Sequence, residues 1–136
     1  MVEITKSATQ FLSEPNLATV ATIRKDGTPH LTYVWFLQDG NDILMTTTRD
    51  RVKAKNLLRD NRASIAVPDP KNPQRFFIAE GRIEITDDRD ASFYGRIGTK
   101  YVGADRAKAN AEAAHQRGER RIILRLKLQR LFNRGL

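Results

Sequence analysis

The chain has 136 residues, 40% of them hydrophobic and 29% charged, with a formal net charge of +8 at pH 7. This length and composition indicate one folded domain, residues 1–136, and exclude a disordered chain. The absence of cysteine excludes disulfides, thiolate–metal sites and thiol catalysis, and two histidines are too few for a histidine-based metal centre.

The positive charge is concentrated at the C-terminal end. Between His115 and Leu136, seven cations accompany one anion, Glu119. Such a patch favours an anionic partner: a phosphorylated small molecule, a nucleic acid or an acidic surface. The sequence contains no apolar run of roughly 18 residues that would cross a membrane, and no signal-peptide pattern. We therefore expect a cytoplasmic protein without membrane contact.

The first part of the chain predicts a helix, a three-stranded meander and a second helix. Apolar residues at helical spacing predict the first helix, and β-branched and aromatic runs bounded by Asp-Gly turns predict the strands. We expect the first turn, at Asp26-Gly27, to be of type I′. The predicted elements are a helix over 3–13, strands over 17–24, 29–38 and 42–48, and a helix over 50–59.

The second part predicts three more strands and two inserted helices. The prolines between residues 68 and 73 predict a rigid loop. Period-two alternation in the strand before residue 87 predicts one face with Phe77, Ala79, Gly81, Ile83 and Ile85 and the other with Glu80, Arg82 and Glu84. In the final strand it predicts an inward face with Ile122, Leu124, Leu126 and Leu128 and an outward face with Arg121, Arg125 and Lys127. Gly98 is expected to break the first inserted helix. The predicted elements are strands over 62–67, 76–86 and 121–128 and helices over 87–97 and 105–116. The fold predicted is α+β, mainly β: a small six-stranded antiparallel barrel with short helices.

The junction between the third strand and the second helix is the strongest candidate site. Thr46, Thr47 and Thr48 end the strand, and Arg51 and Lys53 begin the helix. A helix N-terminus has unpaired N–H groups and a positive dipole end, so hydroxyls and cations placed there form a seat for a phosphate. The alternative is that these cations form only the solvated face of a helix.

Other candidate motifs are weaker evidence for a function. The sequence contains no nucleophile elbow, no glycine-rich dinucleotide turn and no Walker loop. His30 is most simply a strand residue on a wet face. Trp35 and Phe36 are most simply core residues.

Several segments together resemble a known family. These are Gly27-Thr28-Pro29-His30, Tyr33-Val34-Trp35-Phe36, Thr46-Thr47-Thr48, Arg51-Val52-Lys53-Ala54-Lys55-Asn56-Leu57 and Asp60-Asn61-Arg62-Ala63-Ser64. In this order they resemble the pyridoxamine 5′-phosphate oxidase-like split-barrel flavoproteins, and within them the branch that uses the deazaflavin coenzyme F420. The resemblance covers residues 8–128. A proline-containing turn that is common after the family's final strand is replaced here by Lys127-Leu128-Gln129-Arg130.

The resemblance implies a homodimeric oxidoreductase with a cofactor in each groove between the subunits. The cofactor would be coenzyme F420, with FMN as the alternative, and hydride would pass to or from a small organic substrate. The implied phosphate ligands are Thr48, Arg51 and Lys53, with Thr46 or Thr47 nearby. The implied ring-contacting strand is Thr32, Tyr33, Val34 and Trp35, and the implied contribution of the second subunit is Arg75, Phe76 and Phe77. No catalytic side chain is implied; Tyr33 and His30 are the candidate proton donors.

Two other functions compete with this one. The barrel could be a non-catalytic carrier of flavin or haem. It could also bind nucleic acid through the basic C-terminal strand with Trp35, Phe76 and Phe77 as stacking groups. That strand has no aromatic residue between Arg117 and Arg130, so we rank this function last and expect no nucleic-acid partner.

Overall fold

A computed structural model of the chain describes residues 2–136, with seven strands and four helices. The strands are β1 Ala18–Ile23, β2 Pro29–Val34, β3 Phe36–Asp39, β4 Asp42–Thr48, β5 Arg62–Pro68, β6 Phe76–Asp87 and β7 Arg121–Arg134. The helices are α1 Lys6–Leu12, α2 Val52–Arg59, α3 Ser92–Val102 and α4 Ala104–Gln116. The mainly β, α+β class predicted from the sequence is confirmed.

The strands form one antiparallel sheet in the order β2-β1-β5-β6-β7-β4-β3. β2 and β3 are its two ends, although only Trp35 separates them in the chain. The sheet therefore curls into an open barrel, which is split where β2 and the end of β4 form no ladder with each other. The prediction of six strands was wrong, because the single strand expected over 29–38 changes its partner from β1 to β4 at Trp35.

The hydrophobic core fills the inside of the curled sheet. On β6, Phe77, Ala79 and Ile83 are buried, while the alternate residues Glu80 and Arg82 are exposed, which confirms the predicted faces. Alternate residues of the other strands and the apolar face of α1 complete this core. Removal of this apolar surface from water is the main term that stabilises the barrel.

A β-bulge lets β7 continue past its predicted end at residue 128. The register shifts between Glu80 and Gly81, and Gln129 is the extra residue in β7. A Cβ atom on Gly81 would lie 1.9 Å from the carbonyl oxygen of Lys127, so only glycine permits this approach. The extra residue also reverses the alternation: beyond it, Leu131 packs on the core and Phe132 is exposed.

Two local predictions were wrong. The β1–β2 turn is not of type I′, since Gly27 (φ +88°) alone within it has a positive φ. The N–H of Gly27 donates to the carbonyl of Arg24 at 2.9 Å, as in a type I turn followed by a left-handed glycine.

Gly98 does not break a helix but lies inside α3. A Cβ on Gly98 would lie 3.2 Å from Cβ of Ala107 and 3.6 Å from Cζ3 of Trp35. The glycine therefore lets α3 pack closely on both α4 and the barrel. The start of α3 is set by the buried Asp88 carboxylate, which accepts hydrogen bonds from the N–H groups of Phe93 (3.1 Å) and Tyr94 (2.9 Å). Of the described helices, none is long and apolar enough to cross a membrane.

The bulge yields the first prediction. Gly81→Ala should lower the free energy of unfolding by about 3 kcal/mol, because the new methyl group overlaps backbone that has no room to move. Gly40→Ala is the comparison: Gly40 has φ +60° but open space around it, so only about 1 kcal/mol of backbone strain is expected. Urea unfolding of both variants measures the difference. Equal losses would show that β7 shifts to accommodate the methyl group.

Candidate functional site

A cleft of about 830 Å³ opens at the split of the barrel. Its walls come from β2, the end of β4, the first turn of α2 and the turn that connects α4 to β7. The lining residues are His30, Thr32, Tyr33, Thr46, Thr47, Thr48, Asp50, Arg51, Val52, Lys53, Gly118, Glu119, Arg120 and Arg121.

Most of the predicted site residues meet at this cleft. Thr32, Tyr33, the three threonines 46–48, Arg51 and Lys53 all line it. Val34 and Trp35 instead line a smaller adjoining groove of about 280 Å³, which also contacts Tyr33, Thr46 and Lys53. The two candidate regions, the predicted phosphate seat and the predicted ring-contacting strand, are therefore neighbours in space.

The segment Arg75–Phe77 lies elsewhere. Arg75 pairs with Asp69 at 2.9 Å and covers the ring of Phe11 at 5.1 Å. The Phe77 side chain is fully buried in its own barrel, so only its backbone is available to another molecule. These residues were predicted to act on a second subunit's cofactor, and this role stays a prediction.

The first turn of α2 offers two free backbone donors. Its N-cap residue, Arg51, makes no side-chain capping hydrogen bond. The N–H groups of Val52 and Lys53 have no acceptor among residues 2–136. Since both groups lie at the positive end of the helix dipole, an anion is their natural partner.

Three cations converge on the same point. The pKa of Lys53 is lowered by burial and by the neighbouring positive charges of Arg51 and Arg121. Within the described part of the chain, neither Arg51 nor Lys53 forms an ion pair. A half-buried ammonium group held against like charge gains most from a bound anion, which would reverse the sign of its surroundings.

The sequence did not identify Arg121 as a site residue. Its side chain is only 12% exposed and lies over the ring of Tyr94 at 3.8 Å. Its guanidinium donates to the Thr46 hydroxyl at 3.1 Å and pairs with Glu119 at 2.9 Å. Arg121 was predicted only as an outward residue of the final strand. Its place in the site depends on the pairing of Thr48 with Arg121 across β4 and β7, which no local pattern reveals.

The predicted threonines differ in their surroundings. The Thr48 hydroxyl donates to the Asp50 carboxylate at 2.5 Å, and this bond lowers the pKa of Asp50. Thr48 must therefore turn its proton away from Asp50 before it can donate to a phosphate. Thr47 is buried, and Thr46 is engaged by Arg121.

The inner face of β2 carries two polar atoms that lack partners. Nδ1 of His30 and Oγ1 of Thr32 are buried and form no hydrogen bond. Both residues line the cleft, so His30 is half-buried in the candidate site and not on a wet outer face. Buried polar atoms are normally satisfied, and a ligand in the cleft would supply what these two lack.

Comparison with known proteins places these features in a family. The family model described as pyridoxamine 5′-phosphate oxidase matches residues 4–134. An F420H(2)-dependent biliverdin reductase of Mycobacterium tuberculosis is 33% identical over 90 residues, which are 65% of this chain. The match spans 64% of the length of that relative.

Two solved structures share the fold over most of both chains. One, named F420 reductase, has a TM-score of 0.76 and 28% identity and covers 90% of this chain and 94% of its own. The other is the conserved hypothetical protein Rv2991 of Mycobacterium tuberculosis, with a TM-score of 0.77 and 26% identity over 98% and 88% of the two chains.

The charge cluster yields the second prediction. Lys53→Met should raise the thermal midpoint of the ligand-free protein at pH 7 by a few degrees, because it removes a half-buried charge repelled by its neighbours. The folded-state pKa of Lys53 is lowered, so folded protein loses this proton before unfolded protein does. The wild type therefore gains stability as pH rises towards 10.5, and the variant's advantage should shrink.

The control for this experiment is Lys55→Met. Lys55 belongs to the same helix but is exposed and does not line the cleft. Its midpoint should follow that of the wild type at both pH 7 and pH 10 in thermal unfolding. A lower midpoint for Lys53→Met at pH 7 would contradict the assigned repulsion.

Proposed function

Because the chain belongs to the pyridoxamine 5′-phosphate oxidase family, we propose that it is an oxidoreductase that binds a flavin-type cofactor in the cleft. The preferred cofactor is coenzyme F420, with FMN as the alternative, and the hydride passes to or from a small organic substrate. The observation that carries this proposal is the group of unpaired cations and free N–H donors at the start of α2, beside the edge strand β2.

The start of α2 suits the cofactor's phosphate. A phosphate would accept from the N–H groups of Val52 and Lys53 and would neutralise Arg51 and Lys53. It would also raise the pKa of Lys53, which burial and the charges of Arg51 and Arg121 lower, because a neighbouring anion favours the charged ammonium group. Charge-assisted hydrogen bonds of this kind are the strong ones in proteins.

The edge of β2 suits the polar edge of the cofactor ring. β2 pairs only with β1, so along its other side backbone N–H and C=O groups face the cleft unpaired. Backbone donors held in a sheet can stabilise negative charge that develops on the ring during reduction without reorganising. The adjoining groove, with Trp35 and Tyr94, offers apolar walls.

The extent of the cleft favours the longer cofactor. Beyond Arg121 the surface continues into a further groove of about 480 Å³, whose cations are Arg49, Arg89, Arg120 and Arg121 and whose anions are Asp87, Asp88 and Glu119. Arg49 pairs with Asp87 and Arg121 pairs with Glu119, whereas Arg89 and Arg120 form no ion pair within the described residues. FMN ends in a single phosphate, whereas coenzyme F420 carries a phosphodiester and an acidic glutamyl tail that can extend towards Arg89 and Arg120. The relatives named for F420 support the same choice.

The residues of this chain bind the cofactor, orient it and shield it from water, and the cofactor supplies the hydride chemistry when it is bound. Positioning the two reactants and excluding water are the protein's main contributions in such enzymes. Tyr33 and His30 of β2 both line the cleft and are the proposed proton donors. In this proposal residues 1–136 form one cofactor-binding domain of a cytoplasmic enzyme.

The outer face of the sheet supports the proposed homodimer. Cross-strand pairing aligns Tyr33, Thr19, Ala66, Ile78 and Phe132 in one row across β2, β1, β5, β6 and β7. Tyr33 is 76% exposed and Phe132 is 62% exposed at the two ends, with Thr19, Ala66 and Ile78 between them. A second copy, related by a two-fold axis, would place its Phe132 end on the middle of the row. In this proposal Arg75 and Phe76 of one subunit would reach the cleft of the other, the role that the family resemblance implies for them.

The third prediction tests the cofactor. Titration with coenzyme F420, followed by its fluorescence, should give a dissociation constant at least tenfold lower than titration with FMN. Lys53→Met should weaken F420 binding by about 10–100-fold, the value of one charge-assisted contact, whereas Lys55→Met should change it less than twofold. Tighter binding of FMN than of coenzyme F420 would make FMN the cofactor. Unchanged affinity in Lys53→Met would reject the phosphate seat, and a haem spectrum without flavin binding would favour a carrier.

The fourth prediction tests the dimer. Phe132→Glu places a charge within the proposed interface, on a side chain that would be buried against the second copy, so sedimentation at micromolar concentration should show a monomer where the wild type shows a dimer. Leu58→Glu is the matched control, because Leu58 is similarly exposed (64%) but lies on α2, away from the outer row. Loss of the dimer in both variants, or in neither, would refute the assigned face.

A further inference from the structure

The last turn of α3 is attached to the point where the chain crosses from β2 to β3. The Lys100 ammonium donates to the carbonyls of Leu12 (2.7 Å) and Phe36 (3.0 Å) and lies 3.7 Å from the centre of the Phe36 ring. The neighbouring Tyr101 hydroxyl accepts from the N–H of Phe36 (3.2 Å) and donates to the carbonyl of Asn16 (2.9 Å). Two side chains thus tie α3 to α1, to the segment after it and to the start of β3.

The same turn holds the indole of Trp35. The Tyr101 and Trp35 rings are stacked, with centroids 4.9 Å apart and planes 5° from parallel. Gly98 lets α3 approach the other part of the indole, where its missing Cβ would lie 3.6 Å from Cζ3. Trp35 in turn lines the groove beside the cleft, together with Tyr33 and Lys53. The position of this wall therefore depends on α3.

We propose that Lys100 and Tyr101 are positioning residues for the cofactor site, which hold the Trp35 crossover so that β2 and the indole form a fixed wall for the ring. This inference rests on the proposed function. Neither residue lines the cleft or the groove, so both act through Trp35 and Phe36. Because β2 has no strand on its outer side, contacts at its C-terminal end are what keep it in place.

The titration of the Lys100 ammonium group offers a way to measure this attachment. Burial lowers the pKa of Lys100 to about 8, and burial raises the pKa of Tyr101 to about 12, so Tyr101 stays neutral through the titration of Lys100. No carboxylate pairs with Lys100 in residues 2–136: Asp39 of β3 pairs with Arg125, and Glu14 after α1 accepts from Asn16. The other charged groups of the neighbouring helices are Arg96 of α3, which lies over Phe93, and a set that is exposed: Lys6 of α1 and Asp105, Arg106, Lys108 and Glu112 of α4.

The chain contains one tryptophan, so its fluorescence isolates the crossover. In the ligand-free wild type, Trp35 emission should change in one step with a midpoint near pH 8, as the ammonium becomes an amine and its bonds to the two carbonyls weaken. Lys100→Met should abolish this step. Lys53→Met should retain it, which separates Lys100 from the other lysine near the indole. A step that persists in Lys100→Met would overturn the assignment.

Binding at pH 7 then tests the positioning role. Lys100→Met and Tyr101→Phe should each weaken the binding of coenzyme F420 by about tenfold, which is the usual cost of lost hydrogen bonds. In this proposal inorganic phosphate binds only at the start of α2, so its dissociation constant should stay within twofold of the wild-type value in both variants. Loss of both ligands would indicate general unfolding and overturn the proposal. Unchanged F420 affinity would overturn the positioning role alone. Wild-type protein that binds neither F420 nor FMN would overturn the proposed function, and the positioning role with it.

Discussion

The crossover of the chain from β2 to β3 determines the shape of the barrel. The chain passes at Trp35 from one end of the sheet order to the other, so the sheet of seven strands must curl. Closure is incomplete, because β2 and the end of β4 form no ladder with each other. The gap that remains is the cleft, and its floor and walls are therefore consequences of the way the barrel closes.

The cleft also contains a charge cluster that lowers the stability of the ligand-free protein. A domain of this size could have placed a carboxylate opposite Lys53, yet the neighbours that act on it are Arg51 and Arg121. Nearby carboxylates are engaged elsewhere: Asp50 accepts from Thr48, and Glu119 pairs with Arg117 and Arg121. Like charges held together in an otherwise well-packed protein are typical of sites that wait for an oppositely charged ligand. The family membership and the free donors of α2 agree with this interpretation.

Local patterns were enough to predict most of the fold. Alternation identified the faces of β6 and β7, and the threonine-to-lysine junction identified the centre of the cleft. Features that depend on partners distant in sequence escaped prediction. The division of residues 29–38 into two strands arises from a change of neighbour at Trp35, and the role of Arg121 arises from its register opposite Thr48. Gly98 was misjudged for the same reason, since helix propensity was overruled by the close approach of Trp35 and Ala107.

The bulge in β7 has a consequence for how sequences of this family are compared. Before Gln129, the outward Ile123 packs on the cluster that contains Phe93 and Ile97 of α3; after it, the outward Phe132 is exposed. If a relative's final strand lacks the inserted residue and is aligned without a gap, an exposed residue falls in the column of Leu131 and a buried one in the column of Phe132. Alignments that omit a one-residue gap at this point would then equate inward with outward positions. The effect of a substitution after Gln129 should accordingly be judged by whether the side chain faces the core or the solvent, and not by its column in an alignment.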